Sequence, residues 1–242
     1  MADTVLIERR GSTWTLTLNR PEKLNCINWE MMKELSRAVT EAEEDPDLRL
    51  LVLRGAGERS FSTGGDLKEF RNLDSPGAVR WIRLGQQLFD GLAALPVVTL
   101  AVIDGFAFGG GLELALACDF RLATPAASFS APELQLGWPP GWGALSRLTR
   151  VVGESKAREM IFLGERIDGR SALESGLVNW LCEENDVEGL LKSVEEKAAK
   201  LDPSLIAFSR SALASRSDSS SGTQVDFDVI ATLYSKSKSQ SD

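Results

Sequence analysis

The sequence predicts an α/β fold in which ββα units are wound into a spiral and followed by a helical C-terminal region. Two observations carry this. Strand and helix patterns alternate as strand, strand, helix; strand, helix; strand, helix; strand up to Ser130, whereas from Gly141 on the pattern is mostly helical. A third excludes the main competitor: the glycines lack the G-x-G-x-x-G spacing of a dinucleotide crevice, and no acidic residue ends a second strand at the right distance. The expected division is 1–195 for the spiral core and 196–242 for the helical C-terminal region.

The elements follow in order. Val5–Arg9 and Trp14–Asn19 alternate apolar with polar around Gly11-Ser12, a hairpin pattern. Asn28 can cap a helix reaching Glu44, with Met31, Met32, Leu35, Ala38 and Val39 on its apolar stripe. Leu48–Leu53 reads as a buried strand, Gly55–Ser60 as a solvated loop and Leu67–Arg71 as a short helix. A long helix spans Ser75 to Ala94. Val97–Ile103 is an apolar strand turned by Asp104-Gly105, and Gly109-Gly110-Gly111 leads into a helix ending at Cys118. Phe120–Ala123 and Ser128–Ser130 are short strands. Helices are expected over 142–151, 154–163 and 169–175, a strand over Leu177–Cys182, and helices near 186–201 and 203–214. Ser215–Gly222 reads as a flexible loop, followed by a helix near 224–235 and a polar tail.

Composition narrows the function. With 242 residues, 43% of them hydrophobic, the chain can bury one full core, with or without a small appendage. A formal net charge of −8 argues against nucleic acid or an anionic membrane as partner, because both require a basic face. Cys26, Cys118 and Cys182 are odd in number and widely spaced, which fits a reducing compartment better than a disulfide framework. The absence of histidine excludes Ser-His-Asp and Cys-His catalysis and argues against a zinc site. The N-terminus enters a strand at once, without a basic-then-apolar signal region, and the longest apolar run, Leu92 to Ile103, is broken by Pro96. The expectation is a cytoplasmic protein.

Two glycine turns and two glutamates carry the chemistry. Gly109-Gly110-Gly111 precedes a helix, where free N–H groups and the helix dipole favour negative charge and a ligand can approach the backbone closely. A tight strand-to-helix turn is the structural alternative. In Ser62-Thr63-Gly64-Gly65-Asp66 the Gly65 N–H is a candidate second donor, and Asp66 a helix N-cap. Glu113 lies in a first helical turn among Leu112, Leu114, Ala115 and Leu116. It either complements the dipole or is a sheltered acid–base carboxyl with a raised pKa. Glu133 follows Pro132, as a solvated turn residue or the second carboxyl of a pair. Two amides aimed at a developing oxyanion beside two proton-carrying carboxyls are the layout of an enzyme that makes and uses an enolate.

Four ordered segments resemble the enoyl-CoA hydratase/isomerase, or crotonase, family. Asn19-Arg-Pro-Glu-Lys-Leu-Asn25 is similar to its N-R-P-x-x-x-N signature, and Phe61 to Lys68 to F-x-x-G-x-D-[LI]-K. Gly105 to Asp119 is similar to G-x-x-x-G-G-G-x-E-L-x-x-x-C-D. Phe129 to Leu148 is similar to F-x-x-P-E-x-x-x-G-x-x-P-x-x-G-x-x-x-R-L. The resemblance runs from Val5 to Glu183. It implies the crotonase-like (ClpP/crotonase) spiral, assembled as a homotrimer or a dimer of trimers, and an acyl-CoA substrate whose CoA is the only cofactor-like group. It implies that the N–H groups of Gly65 and Gly110 hold the thioester oxygen, that Glu113 and Glu133 are the catalytic pair, and that Gly141 helps hold a water. Glu133 would serve the α-carbon and Glu113 the water. Lys23, Leu24 and the turn of Gly64, Gly65, Asp66, Leu67 and Lys68 would meet the CoA chain, with Lys23 and Lys68 as phosphate partners; Pro132 and Trp142 would border the acyl group.

The implied reaction is hydration of a 2-enoyl-CoA to a 3-hydroxyacyl-CoA. Trp142 stands where most hydratases carry a small residue and Ala144 where they carry glycine; with Trp138, these should narrow the acyl pocket. The loop Gly137 to Gly143 also resembles that of ethylmalonyl-CoA decarboxylases, which makes decarboxylation of an ethylmalonyl- or methylmalonyl-type CoA the alternative, beside enoyl-CoA isomerisation. A scaffold or RNA-binding role is the non-enzymatic alternative. The family's usual C-terminal helix rich in Lys and Arg has no counterpart in the Ser/Lys/Gln-rich end of this chain.

Overall fold

A computed structural model describes residues 3–215. Ser215 closes the last described helix; the rest of the loop expected there, the helix near 224–235 and the polar tail lie outside the described residues.

The chain opens with an antiparallel hairpin, β1 (Val5–Arg10) and β2 (Thr13–Leu18), turned at Gly11. Helix α1 (Trp29–Glu44) follows, with the Asn28 side chain accepting from the Met31 amide. Three turns of the spiral come next. Each places one strand in a large sheet, one short strand in a small sheet, and then helix. They are β3 (Leu50–Gly55), β4 (Ser60–Ser62), α2 (Leu67–Arg71) and α3 (Ser75–Ala94); β5 (Val98–Ile103), β6 (Phe106–Phe108) and α4 (Gly110–Ala117); and β7 (Phe120–Ala123), β8 (Ser128–Ser130), a single 3₁₀ turn at Glu133–Leu136 and α5 (Ala144–Phe162). Short strand β9 (Ile167–Asp168), α6 (Gly169–Glu174), β10 (Trp180–Leu181), α7 (Val187–Ala198) and α8 (Pro203–Ser215) complete the described chain.

Among the described residues the large sheet has the order β1-β2-β3-β5-β7-β10 and the small one β4-β6-β8-β9. Pairing within the spiral is parallel, as strand–helix–strand repeats require. The central strands of the large sheet are buried on both faces, so they read as continuous apolar runs. Leu51, Leu53, Ala101 and Ile103 face the main core under α1, α3 and α4. Leu50, Val52, Leu100 and Val102 face a second cluster closed by Val187, Val194 and Ala198 of α7. Residue 196 lies within α7, a helix that seals the spiral's outer face.

Three strands escaped the sequence pattern. β4, β6 and β9 are two or three residues long, too short to show a period. The expected strand Leu177–Cys182 contracts to Trp180–Leu181. Its start is diverted, because the Leu177 carbonyl accepts from Nε of the buried Arg121 and the Leu177 and Val178 side chains enter the core. The two helices expected over 142–151 and 154–163 form α5, broken at Gly153 (φ 79°, ψ 164°).

Candidate active site

The two glycine turns meet. Gly64 has φ +88°, and a Cβ built there would lie 2.7 Å from the Gly110 nitrogen and 2.9 Å from the Phe108 oxygen, so only glycine lets the turn before α2 touch the start of α4. Ile27 forms an isolated parallel bridge with Gly65. The bridge uses the Gly64 carbonyl and the Asp66 amide, which leaves the Gly65 N–H outside the pairing. Gly110 opens α4, so its N–H has no acceptor within the helix. Neither amide donates to a carbonyl of the described residues.

Gly65 and Gly110 line one cavity of about 360 Å³ together with Leu67, Glu113, Pro132, Glu133, Gly141 and Trp142. This brings together both candidate donor glycines, both candidate carboxyls and, with Trp138 also in the lining, both tryptophans expected to narrow the pocket. Lys23 and Lys68 are exposed and, like Leu24, lie outside the cavity lining. Asp66 is outside it too: Oδ1 accepts from the Lys68 and Glu69 amides, capping α2, and Oδ2 pairs with Arg20 at 3.1 Å. Leu24 belongs to the scaffold of the turn. Leu24 and Asn25 both adopt left-handed backbone (φ 51° and 52°), and the Leu24 carbonyl accepts from the Thr63 amide. Asn25 Nδ2 donates to the carbonyls of Ala56 and Ser60, and its Oδ1 accepts from the Arg20 amide.

The two carboxyls have opposite surroundings. Glu113 Oε1 accepts from the amides of Trp142 (2.8 Å) and Ala144 (2.9 Å), at the N-terminus of α5. Burial pushes this carboxyl above its ordinary value, while the amides of Ala144, Trp142 and Gly143 pull against it by stabilising the ionised form. Glu133 is 6% exposed, and neither of its oxygens has a hydrogen-bond partner among the described residues. Its own main-chain N–H pulls its pKa down slightly without completing a hydrogen bond. Burial first, and the charge of Glu113 second, push Glu133 up to about 7. One carboxyl is held as an acceptor by main-chain donors; the other is poised to carry a proton near neutral pH.

A family model described as enoyl-CoA hydratase/isomerase matches residues 8–242. The chain belongs to the enoyl-CoA hydratase/isomerase family. It is 33% identical over 234 residues to a short-chain-enoyl-CoA hydratase of Clostridium acetobutylicum, spanning 97% of this chain and 87% of that protein. It is 34% identical over 234 residues to a crotonyl-CoA hydratase of Syntrophomonas wolfei, spanning 96% and 86%. Among solved structures, an enoyl-CoA hydratase from Bacillus anthracis matches with a TM-score of 0.84 at 30% identity over 98% of this chain and 90% of that one. An enoyl-CoA hydratase from Thermoplasma volcanium matches with a TM-score of 0.86 at 29% identity over 97% and 92%. The spiral with its helical C-terminal region is the crotonase fold.

Sequence reasoning missed the wall that α3 contributes to this cavity. Trp81, Ile82 and Gln86 line the cavity, and Gln86 Nε2 donates to the Gly141 carbonyl at 2.8 Å. An apolar helix stripe reads as core and an exposed glutamine as surface, so Trp81, Ile82 and Gln86 left no signal of their own. A usable one stood beside them: Gly85, an isolated glycine inside a helix, which calls for a packing or functional reason.

Proposed function

We propose that the protein adds water across the double bond of a 2-enoyl-CoA to give a 3-hydroxyacyl-CoA. The observation that carries the reading is the unpartnered Glu133 carboxyl, raised to about 7, in one cavity with the amide-held Glu113 and the two glycine turns. The names of the relatives from Clostridium acetobutylicum and Syntrophomonas wolfei support it.

In this mechanism the Gly65 and Gly110 N–H groups receive the thioester oxygen and stabilise the enolate as it forms. Ionised Glu113 takes a proton from water as its oxygen bonds to the β-carbon, and the π electrons move toward the carbonyl. Protonated Glu133 then delivers a proton to the α-carbon. One water is consumed, and the two carboxyls exchange roles until a proton returns to Glu133. Lys23 and Lys68 receive the CoA phosphates at the surface, Leu24, Gly64 and Asp66 hold the turn against which the CoA chain runs, and no other cofactor takes part.

Decarboxylation fits less well. Among the described residues no Lys or Arg lines the cavity, and a malonyl-type substrate would bring another carboxylate beside Glu113 and Glu133. We further infer a homotrimer or dimer of trimers, supported by the exposed Phe162 and Leu163 at the end of α5, and a cytoplasmic location, supported by free thiols at all three cysteines. No helix among the described residues is long and apolar enough to cross a membrane.

The test is the loss of the ultraviolet absorbance of crotonyl-CoA. Wild-type protein should bleach it, and Glu133→Gln and Glu113→Gln should each slow this by a factor of at least about 10². Release of CO₂ from ethylmalonyl-CoA with crotonyl-CoA left unchanged would replace hydration by decarboxylation.

A further inference from the structure

The Trp142 indole occupies a slot made by three glycines, from α3, from α4 and from the turn before α2. A Cβ at Gly85 of α3 would overlap the indole Nε1, Cε2 and Cδ1, and a Cβ at Gly110 of α4 would overlap Cζ3 and Cε3. A Cβ at Gly65 would come within 3.3 Å of Cη2. Two further rings hold the indole: Trp81 with centroids 5.8 Å away and Phe89 at 5.4 Å. Trp142 is 5% exposed and forms part of the cavity wall. Its own main-chain N–H donates to Glu113.

This placement has a cost in sequence terms. Glycine in a helix interior is destabilising relative to alanine by about 1 kcal/mol. The cost at Gly85 has a local explanation: any side chain there would evict the indole. The cavity left beside the ring, about 360 Å³, is at the small end for a ligand pocket.

We infer that Trp142, seated by Gly85, is the residue that limits acyl chain length, restricting this enzyme to short acyl-CoA thioesters. The inference rests on the acyl-CoA reading above and adds the specificity determinant to it. With the thioester oxygen at the Gly65 and Gly110 amides, the reacting carbons lie between Glu113, Glu133 and the indole face. Carbons beyond them need the space between α3 and α4 that the ring fills. The indole is packed against Gly65, Gly85, Gly110, Trp81 and Phe89, so it does not yield as a surface side chain would.

The experiment measures binding of the saturated thioesters butyryl-, hexanoyl-, octanoyl- and decanoyl-CoA by calorimetry, which does not depend on hydration. Wild-type protein should bind butyryl-CoA and lose at least tenfold in affinity by decanoyl-CoA. In Trp142→Ala the order should reverse, with affinity rising by up to about fourfold for each methylene newly buried. Trp142→Phe should fall between them, which keeps the test usable if the alanine variant unfolds. Gly85→Ala should weaken butyryl-CoA binding by pushing the ring into the cavity, and adding Trp142→Ala should remove that defect. An identical length profile in wild type and both Trp142 variants overturns the inference while leaving the hydratase reading intact. Failure of all four thioesters to bind the wild-type protein overturns both.

Discussion

Glu133 is an acid whose charge has no protein partner among the described residues, and its titration should be visible in both activity and stability. In the proposed mechanism Glu133 acts protonated and Glu113 ionised, so kcat/KM for crotonyl-CoA should fall as pH rises through about 7. A profile flat from slightly acidic to alkaline pH would contradict the assignment. For stability, the folded chain retains the Glu133 proton between its ordinary value of 4.5 and about 7, whereas the unfolded chain has released it. Native stability therefore falls as pH rises across that window, by about 3 kcal/mol at most. Glu133→Gln removes the buried charge, so the variant should be more stable than wild type at alkaline pH by about 1–3 kcal/mol, with the gap closing below the ordinary glutamate value. Urea unfolding at the two pH extremes checks this; a gap independent of pH would refute it.

At the scale of elements, two polar side chains fix segments that have little apolar packing of their own. Asn25 holds the turn before α1 in place through the Ala56 and Ser60 carbonyls while adopting a left-handed backbone that asparagine tolerates better than most residues. Asn25→Ala leaves the buried Ser60 carbonyl and the part-buried Ala56 carbonyl without this donor and should cost about 1–3 kcal/mol in chemical denaturation; a loss below about 0.5 kcal/mol would show that the turn stands without it. Arg210 does the same for α8, whose Leu205 and Leu213 are exposed. Its guanidinium donates to the carbonyls of Ala93 and Val97 and to Asp119, which also accepts from the amide and hydroxyl of Thr99 on β5. Arg210→Ala should raise amide hydrogen exchange in α8 by at least tenfold and leave β5 protected. Equal exchange in α8 of variant and wild type would mean that other contacts hold the helix.

At the scale of the molecule, the site belongs to no single element. It draws on the turns before α2 and α4, the 3₁₀ turn after β8, the N-terminus of α5 and one face of α3. A ligand seated there should stabilise the whole chain by linkage. At about a hundredfold excess over its Kd, butyryl-CoA should add about 2.7 kcal/mol. For a chain of this size that raises the melting temperature by roughly 5–10 °C, readable by scanning fluorimetry; an unchanged Tm at saturation would count against specific binding. Much of this architecture was legible in advance. The long helices α1 and α3 were bounded by their caps, and the central strands by apolar runs that only a sheet covered on both faces requires. The glycine turns and the glutamate pair were visible because φ > 0, close backbone approach and sheltered charge each demand particular residue types. By itself the sequence therefore determined the order of the longer helices and central strands, the family resemblance and which glycines and glutamates are candidates for the site. Only the tertiary structure decided that Glu113 is clasped by the α5 amides while Glu133 is left unpartnered, and that Trp142 lies in the notch at Gly85. These are relations between residues brought together from separate turns of the spiral, and neither helical nor strand periodicity carries information across such separations.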